Sequence, residues 1–536
     1  MGGYTNANKM GVEEMSKKRE KRRYRALWIL SLLTLLLLAP ACAAFGQGYE
    51  EWSIDIGGDD TEHFKAIQET VDGGFIAVGY VEPWTRDDHE LYMVKTDSAG
   101  EPEWSKVYGD AKDDDAYDVV QTVDGGYVVV GSTNSYGAGL ADLWVMRTDE
   151  LGELIWEKVL GGTKNDVAYS LIALDGGEYL LTGSTASYGS GNGDLWILKI
   201  SDDGDVLWNI TYGGPMNDVG REIISTADGG FMVVGDTSSY GAGWSDVWLI
   251  KMDAEGAASW NQTIGGSAND SGRSVKETVD GFIVAGNSES FGDTLVDGYV
   301  AKVDPEGELL WEKTYGGASD DYAEFIELFN GEGYLVTGYT SSTGTGESDV
   351  WLFSVSVDGE MVEETVYGGS LRDRMYQVHE TSDGGYILVG FTWSFGAGGN
   401  GYLIKITMEP PLAPAEFTIS DLVVSPSTVE TGETVTVSVT VTNVGEETGS
   451  HTAELLLDGS KVDEDTVTLE GGASETVEFT GVSGDEGTHA VSVGDLSGSF
   501  TVEAPPKEPG GIPGFPAASL AVGLSAAALV LLKKRT

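Results

Sequence analysis

Seven acidic residues recur at one position of a repeating pattern: Glu62, Asp114, Asp166, Asp218, Asp270, Asp321 and Asp373, each five residues after the first glycine of a turn. Gathered at the mouth of a channel, such carboxylates would bind a hard cation such as Ca²⁺ through their oxygens. An aspartate in a turn of this kind also accepts backbone hydrogen bonds, a role that needs no ligand. A second acidic set comprises Glu90, Asp142, Asp194, Asp246, Asp297 and Asp349, with Asn400 in the seventh copy. Two residues after each comes an aromatic: Tyr92, Trp144, Trp196, Trp248, Tyr299, Trp351 or Tyr402. Repetition in every copy marks these as scaffold, the aromatics packing between neighbouring units. A third set lies in loops: Trp84, Tyr136, Tyr188, Tyr240, Phe291, Trp393 and Phe395. Exposed aromatics beside polar groups stack on sugar faces, so these are the candidate contacts for an external ligand.

Nucleophilic and general-base chemistry finds little support. The five histidines, His63, His89, His379, His451 and His489, form no metal-ligand spacing, and no catalytic residue is assigned. Cys42 is the only cysteine, which excludes disulfides, thiolate zinc sites and cysteine nucleophiles from the folded body. Arginines able to clamp a substrate carboxylate number six between residues 26 and 532. A glycan hydrolase or lyase using paired carboxylates is the alternative to a binding role, by analogy of fold. A pocket that breaks the repeat symmetry and holds two close acids of raised pKa would favour the enzyme; a uniform rim would favour binding.

The elements that position these residues follow from a period of about 52 residues, marked by Trp52, Trp104, Trp156, Trp208, Trp260 and Trp311, with Glu363 at the seventh place. Asp-Gly-Gly turns begin at Asp72, Asp124, Asp175, Asp228 and Asp383, with weaker copies at Asp280-Gly281 and Asn330-Gly331. In one copy the pattern predicts strands over Ala116–Thr122, Tyr127–Thr133, Asp142–Thr148 and Glu153–Leu160, separated by glycine-bearing turns. Four strands per copy and seven copies describe a β-propeller of seven four-stranded blades over residues 46–407. The last copy supplies strands near Tyr376–Thr381, Tyr386–Thr392 and Tyr402–Thr407 but lacks its fourth, while residues 51–57 carry the fourth-strand pattern with no preceding partner. Pairing the two closes the ring and removes an open edge. Two positions after the acids lie Ala116, Ala168, Gly220, Gly272 and Ala323, with Phe64 and Met375 as exceptions, small side chains being expected where seven strands crowd an axis.

Tyr212–Gly214, Asp124–Tyr127 and Ser135–Gly139 carry Tyr-Gly-Gly, Asp-Gly-Gly-Tyr and Ser-Tyr-Gly-Ala-Gly, and through them the region resembles the glycine-rich propeller repeats of archaeal and bacterial surface proteins. That resemblance implies architecture, not one activity. After the Pro-rich linker 408–415, residues 416–503 alternate Val and Thr with period two, as in Thr434–Val441, which reads as a small immunoglobulin-like β-sandwich. Val424-Ser425-Pro426, Gly432-Glu433, Thr442-Asn443-Val444-Gly445 and Gly498-Ser499-Phe500 give it a resemblance to the CARDB, or cell-adhesion-related, domain. The family implies a spacer or interaction module between propeller and membrane.

Charge and termini indicate where the chain works. Residues 26–532 hold 20 basic and 84 acidic side chains, a net charge of −64. Such a surface repels phosphate backbones, and nucleic acid is excluded as a partner. Residues 1–45 have the basic stretch, short apolar run and small-residue segment of a secretory signal. A linker over 504–512 leads to Pro513-Gly514-Phe515, an apolar run and the basic tail Lys533-Lys534-Arg535. The order over 513–536 resembles the archaeal Pro-Gly-Phe sorting signal, which implies cutting by a membrane sortase and transfer to a lipid; the alternative is an uncut transmembrane tail anchor, which gives the same location. Both apolar runs are expected to be targeting helices. Sequons at Asn209, Asn261 and Asn269 are candidate glycosylation sites in an exported chain. The expectation is an anchored cell-surface binding, adhesion or envelope-structural protein, with an envelope or extracellular glycan or protein as ligand.

Overall fold

A computed structural model of the chain describes residues 49–86, 88–292, 295–329, 333–396, 398–407 and 412–506. The expected secretory signal, the expected sorting motif Pro513-Gly514-Phe515 and most of the expected linkers lie outside them. The described residues divide into two compact units, one up to residue 407 and one from 412 onward. None of them forms a helix long and apolar enough to cross a membrane.

The first unit consists of seven four-stranded antiparallel sheets. Their innermost strands are Thr61–Glu69, Asp114–Gln121, Asp166–Leu174, Asp218–Ser225, Asp270–Thr278, Asp321–Phe329 and Asp373–Glu380, here blades 1 to 7. In the copy read from sequence, two strands match the expected bounds, while the first begins at Asp114 rather than Ala116. The acidic residue belongs to the ladder itself, since Asp114 pairs with Thr133 across the first hairpin. The seventh blade takes its fourth strand from the front of the chain. Tyr49–Ile56 pairs antiparallel with Asn400–Thr407, bringing Trp52 opposite Lys405 and Asp55 opposite Tyr402.

Each hydrophobic cluster straddles two blades, because a sheet with two apolar faces must bury both. Ala66, Ile76, Val78 and Met93 of blade 1 pack against Ala116, Tyr127, Trp144 and Met146 of blade 2. The same arrangement closes the ring, where Ile56, Ile387, Val389 and Leu403 of blade 7 meet Phe64, Phe75 and Ala77 of blade 1. The periodic tryptophans lean on the next blade. Gly152 has a φ of +74°, and an added Cβ would stand 2.8 Å from the Trp104 ring, so backbone conformation and close approach both require glycine there. The small residues after each acid serve blade-to-blade contact rather than relief of crowding at the axis. A Cβ on Gly220 would come within 3.1 Å of Leu195 in the preceding blade, and one on Gly272 within 2.6 Å of Val234. Phe64, an exception to the small-residue pattern, fills the space above Gly401.

The second unit is a sandwich of a three-stranded sheet on a five-stranded one. Val437, Val439 and Val441 from one sheet and Ala453, Leu455, Val491 and Phe500 from the other form its core, as the period-two alternation requires.

Candidate functional site

The acids Asp114, Asp166, Asp218, Asp270, Asp321 and Asp373 do not face an open mouth; each is fully buried in its own blade. For Asp166, Thr185 Oγ1 donates at 2.5 Å, Ser187 Oγ at 2.6 Å and the Gly162 amide at 2.8 Å. Asp270 and Asp321 receive the matching trio from Ser288, Ser290 and Gly266, and from Thr340, Ser342 and Gly317. The Thr/Ser-x-Ser at the end of the second strand in blades 2 to 7 therefore caps this carboxylate. Among the described residues no group of three or more His, Cys, Asp or Glu side chains is gathered as a metal site.

Glu62 departs from this pattern because its blade lacks the donors. Val81 pairs opposite Glu62 where the other blades place Thr or Ser, and Pro83 stands where they place the second serine. Its Oε2 is buried with no hydrogen-bond partner, and so is Oδ1 of Asn400, the second-set residue across Gly57. Burial pushes the Glu62 carboxyl up to about 7.

Most loop aromatics pin their own blades. Tyr136, Tyr188 and Tyr240 pack on Trp144, Trp196 and Trp248 at 5.6–5.7 Å between centroids, Phe395 on Tyr402 at 5.8 Å and Phe291 on Tyr299 at 6.1 Å. The hydroxyls of Tyr188 and Tyr240 donate to the carbonyls of Gly161 and Gly213. Trp84 is the strongly exposed member at 85%, Trp393 is 44% exposed, and Trp244, which the pattern did not single out, reaches 79%. The sequon residues Asn209, Asn261 and Asn269 are all exposed.

The seven inner strands share a feature that pattern reading does not anticipate. Each carries a β-bulge at the same place, and the extra residues are Lys65, Tyr117 and Tyr169, then Arg221, Arg273, Glu324 and Tyr376. A bulge re-aims the side chain of its extra residue. All seven line a single axial cavity of about 630 Å³. Neighbours on this girdle touch. Lys65 Nζ sits 3.9 Å from the centre of the Tyr376 ring, Tyr117 meets Tyr169 edge-on at 5.1 Å, and the Arg221 guanidinium lies 4.8 Å from the Tyr169 ring. Arg273 Nε stands 3.7 Å from Glu324 Oε2, an ion pair longer than a hydrogen bond.

Three residues further along the strands the girdle gives way to a two-faced wall. Val120, Ile172 and Ile224 from blades 2 to 4 make an apolar arc. Opposite them Lys276 is held by Glu222 at 3.2 Å and Glu327 at 3.8 Å, and His379 Nδ1 lies 3.7 Å from the same Glu327.

Residues just after the bulges bind the ring together. Asp118 accepts from the Leu171 amide of the next blade at 2.9 Å, Glu222 from Val275 at 2.6 Å and Gln377 from Ile67 at 3.0 Å, the last across the closing seam. Asp118 is pushed up to about 7 by burial, against the pull of these amides. With one oxygen on Leu171 and the other on the Val119 amide, it is committed to structure.

Two of the six arginines of the body, Arg221 and Arg273, thus line the axial cavity. The signal available in sequence was variability inside an otherwise strict repeat: three residues after each invariant acid the copies read Lys, Tyr, Tyr, Arg, Arg, Glu, Tyr.

Comparison with known proteins places the CARDB family model on residues 415–497, the sandwich unit. The regulatory protein FlaEY of Caulobacter vibrioides is 28% identical over 192 residues, covering 29% of this chain and 20% of that protein. The chain therefore spans about a fifth of the length of the curated relative it matches. Similar solved structures include the Pan2 WD40 domain of Neurospora crassa, with a TM-score of 0.43 and 10% identity over 67% of this chain and 94% of that one. BBS1N in complex with ARL6DN gives a TM-score of 0.42 and 11% identity over 68% and 98%. The CARDB domain of the PF1109 protein of Pyrococcus furiosus, solved with di-metal ions, gives a TM-score of 0.15 and 17% identity over 16% and 93%. The propeller assignment rests on the chain's own strand topology; the sandwich carries a CARDB domain.

Proposed function

We propose that this chain is an exported, membrane-anchored protein of the cell surface whose propeller is a binding module, with the CARDB domain as spacer or contact module. The observation that carries the reading is where the repeat symmetry breaks. Capping acids, interblade aromatics and turn glycines repeat from blade to blade, whereas the bulge side chains around the axial cavity differ. That distribution marks the axis as the ligand site, and with one acid of raised pKa in its lining, Asp118, rather than two close ones, it favours binding over chemistry. The acidity of the body supports an ion-rich exterior. The leader-like and sorting-like ends support export and lipid anchoring, with a sorting enzyme as transient partner.

The alternative, a polysaccharide hydrolase or lyase, draws support from the same asymmetry. Against it, Asp118, the acid of raised pKa lining the cavity, has both oxygens on backbone amides and lacks the freedom of a general acid. The test is an array of neutral and acidic glycans and envelope extracts probed with the intact protein, followed by analysis of bound polysaccharide for new chain ends. Retention of ligand without cleavage supports the binding reading, and new ends would convert it to the enzyme. Failure to retain any component would overturn both.

A further inference from the structure

The girdle has two cationic stations. Lys65 of blade 1 has no carboxylate partner among the described residues; its charge rests on the faces of Tyr376 and, at 5.7 Å, Tyr80. Arg221 and Arg273 lie in blades 4 and 5, across a seven-membered ring from blade 1. Arg221 spends its Nε and one terminal nitrogen on Asp236, both at 3.0 Å. Arg273 has a buried Nε with no hydrogen-bond acceptor. A guanidinium has five N–H groups, so neither arginine is saturated by one carboxylate. In a body of net charge −64 the seven bulge residues hold three cations, Lys65, Arg221 and Arg273, against one carboxylate, Glu324, while the rest of the cavity lining adds Lys276 and the acids Glu69, Asp118, Glu222 and Glu380.

Between the stations the wall is amphipathic. Tyr117 and Tyr169 present ring faces and edges, the arc of Val120, Ile172 and Ile224 is apolar, and Glu324 offers an acceptor to hydroxyl groups. The volume, about 630 Å³, is in the range that holds a small organic ligand rather than a macromolecule. A single carboxylate would meet one station only. A ligand that engages both has two carboxylates separated by rings with an apolar face and a hydroxylated edge.

Resting on the binding reading above, we propose that the axial cavity is the site of a short acidic saccharide, an oligouronate, with one carboxylate on Lys65 and another on the Arg221–Arg273 side. The tyrosines and the apolar arc take the sugar faces. The body's negative field slows the approach of such a ligand at low ionic strength, and salt relieves that repulsion.

The experiment is isothermal titration of the intact chain with trigalacturonate, the neutral trisaccharide maltotriose and monomeric galacturonate. Trigalacturonate is expected to bind at least tenfold more tightly than either of the others. Lys65→Met and Arg273→Met should each weaken it at least tenfold without moving the unfolding midpoint, and Lys65→Arg should restore it. Equal affinity for trigalacturonate and maltotriose, or full trigalacturonate binding by Lys65→Met, overturns the inference. If the array shows a bound glycan that is lost in Trp84→Ser or Trp393→Ser but kept in Lys65→Met, the binding module stands and the axial site falls. If no glycan or envelope component binds, both fall.

Discussion

Replacing Trp52 by alanine isolates the contribution of ring closure. Trp52 lies in the closing strand, and its ring meets Phe75 of blade 1 edge-on at 6.0 Å and covers the glycine turn at Gly100. The side chain is half-buried. A fully buried Trp→Ala change removes about 3–5 kcal/mol; scaled for half-burial, the expected loss is about 2 kcal/mol. Trp104 is the internal control. It makes the same contacts one blade on, with Tyr127 at 5.9 Å and with the turn at Gly152, but its strand is covalently continuous with its own blade. The CARDB unit has no tryptophan, and thirteen of the chain's fourteen lie between residues 52 and 393, the other being Trp28 near the N-terminus, so the urea-dependent change in tryptophan fluorescence reports the propeller. Trp52→Ala and Trp104→Ala should lower stability by amounts within about 1 kcal/mol of each other. A Trp52→Ala variant that unfolds like the wild type, beside a destabilised Trp104→Ala, would mean that the first strand frays in solution and does not close the ring.

Glu62 gives the propeller a pH dependence of definite sign. Its carboxyl is raised from 4.5 to about 7, so its contribution is complete below 4.5 and is lost as pH rises through 7. Glu62→Gln should match the wild type at pH 4.5 and be the more stable protein at pH 8; equal stability at both would contradict a buried carboxyl with one unpartnered oxygen. His63, held down to about 3 by burial, runs in the opposite sense, so only the difference between variant and wild type is diagnostic. Asp166→Ala strands two hydroxyls and an amide and should destabilise by about 2–4 kcal/mol, while millimolar Ca²⁺ should leave the wild-type midpoint unmoved. A calcium-dependent rise of several degrees would reassign the ring of acids to a cation. Trp84→Ser, at the most exposed of the loop aromatics, should change stability by less than about 0.5 kcal/mol, checked by the same fluorescence titration.

The architecture was legible because its signals are local and repeated seven times. Glycine turns, period-two strands and the periodic tryptophans each have a backbone or packing reason that acts within one blade or on its neighbour, and the spare strand at the front follows from counting. The capping role of the acids was half legible: the turn reading named the chemistry, but the hydroxyls opposite them, such as Thr185 and Ser187, belong to the next strand and come together only through the hairpin register. The axial girdle was not legible. A bulge adds one residue to a strand without changing its composition, so Lys65, Tyr117 and Arg221 read as ordinary alternation until the ladder shows the extra residue. The same limit explains the misplaced reason for the small residues, whose neighbours Leu195 and Val234 lie in the preceding blade.

The most direct test of the account is an electron-density map of crystals of this protein soaked in trigalacturonate. Closure by Tyr49–Ile56 and saccharide density on the axis, between Lys65 and Arg273, are the predicted result. Density confined to the rim around Trp84 and Trp393, with the axial cavity holding only solvent, would contradict it.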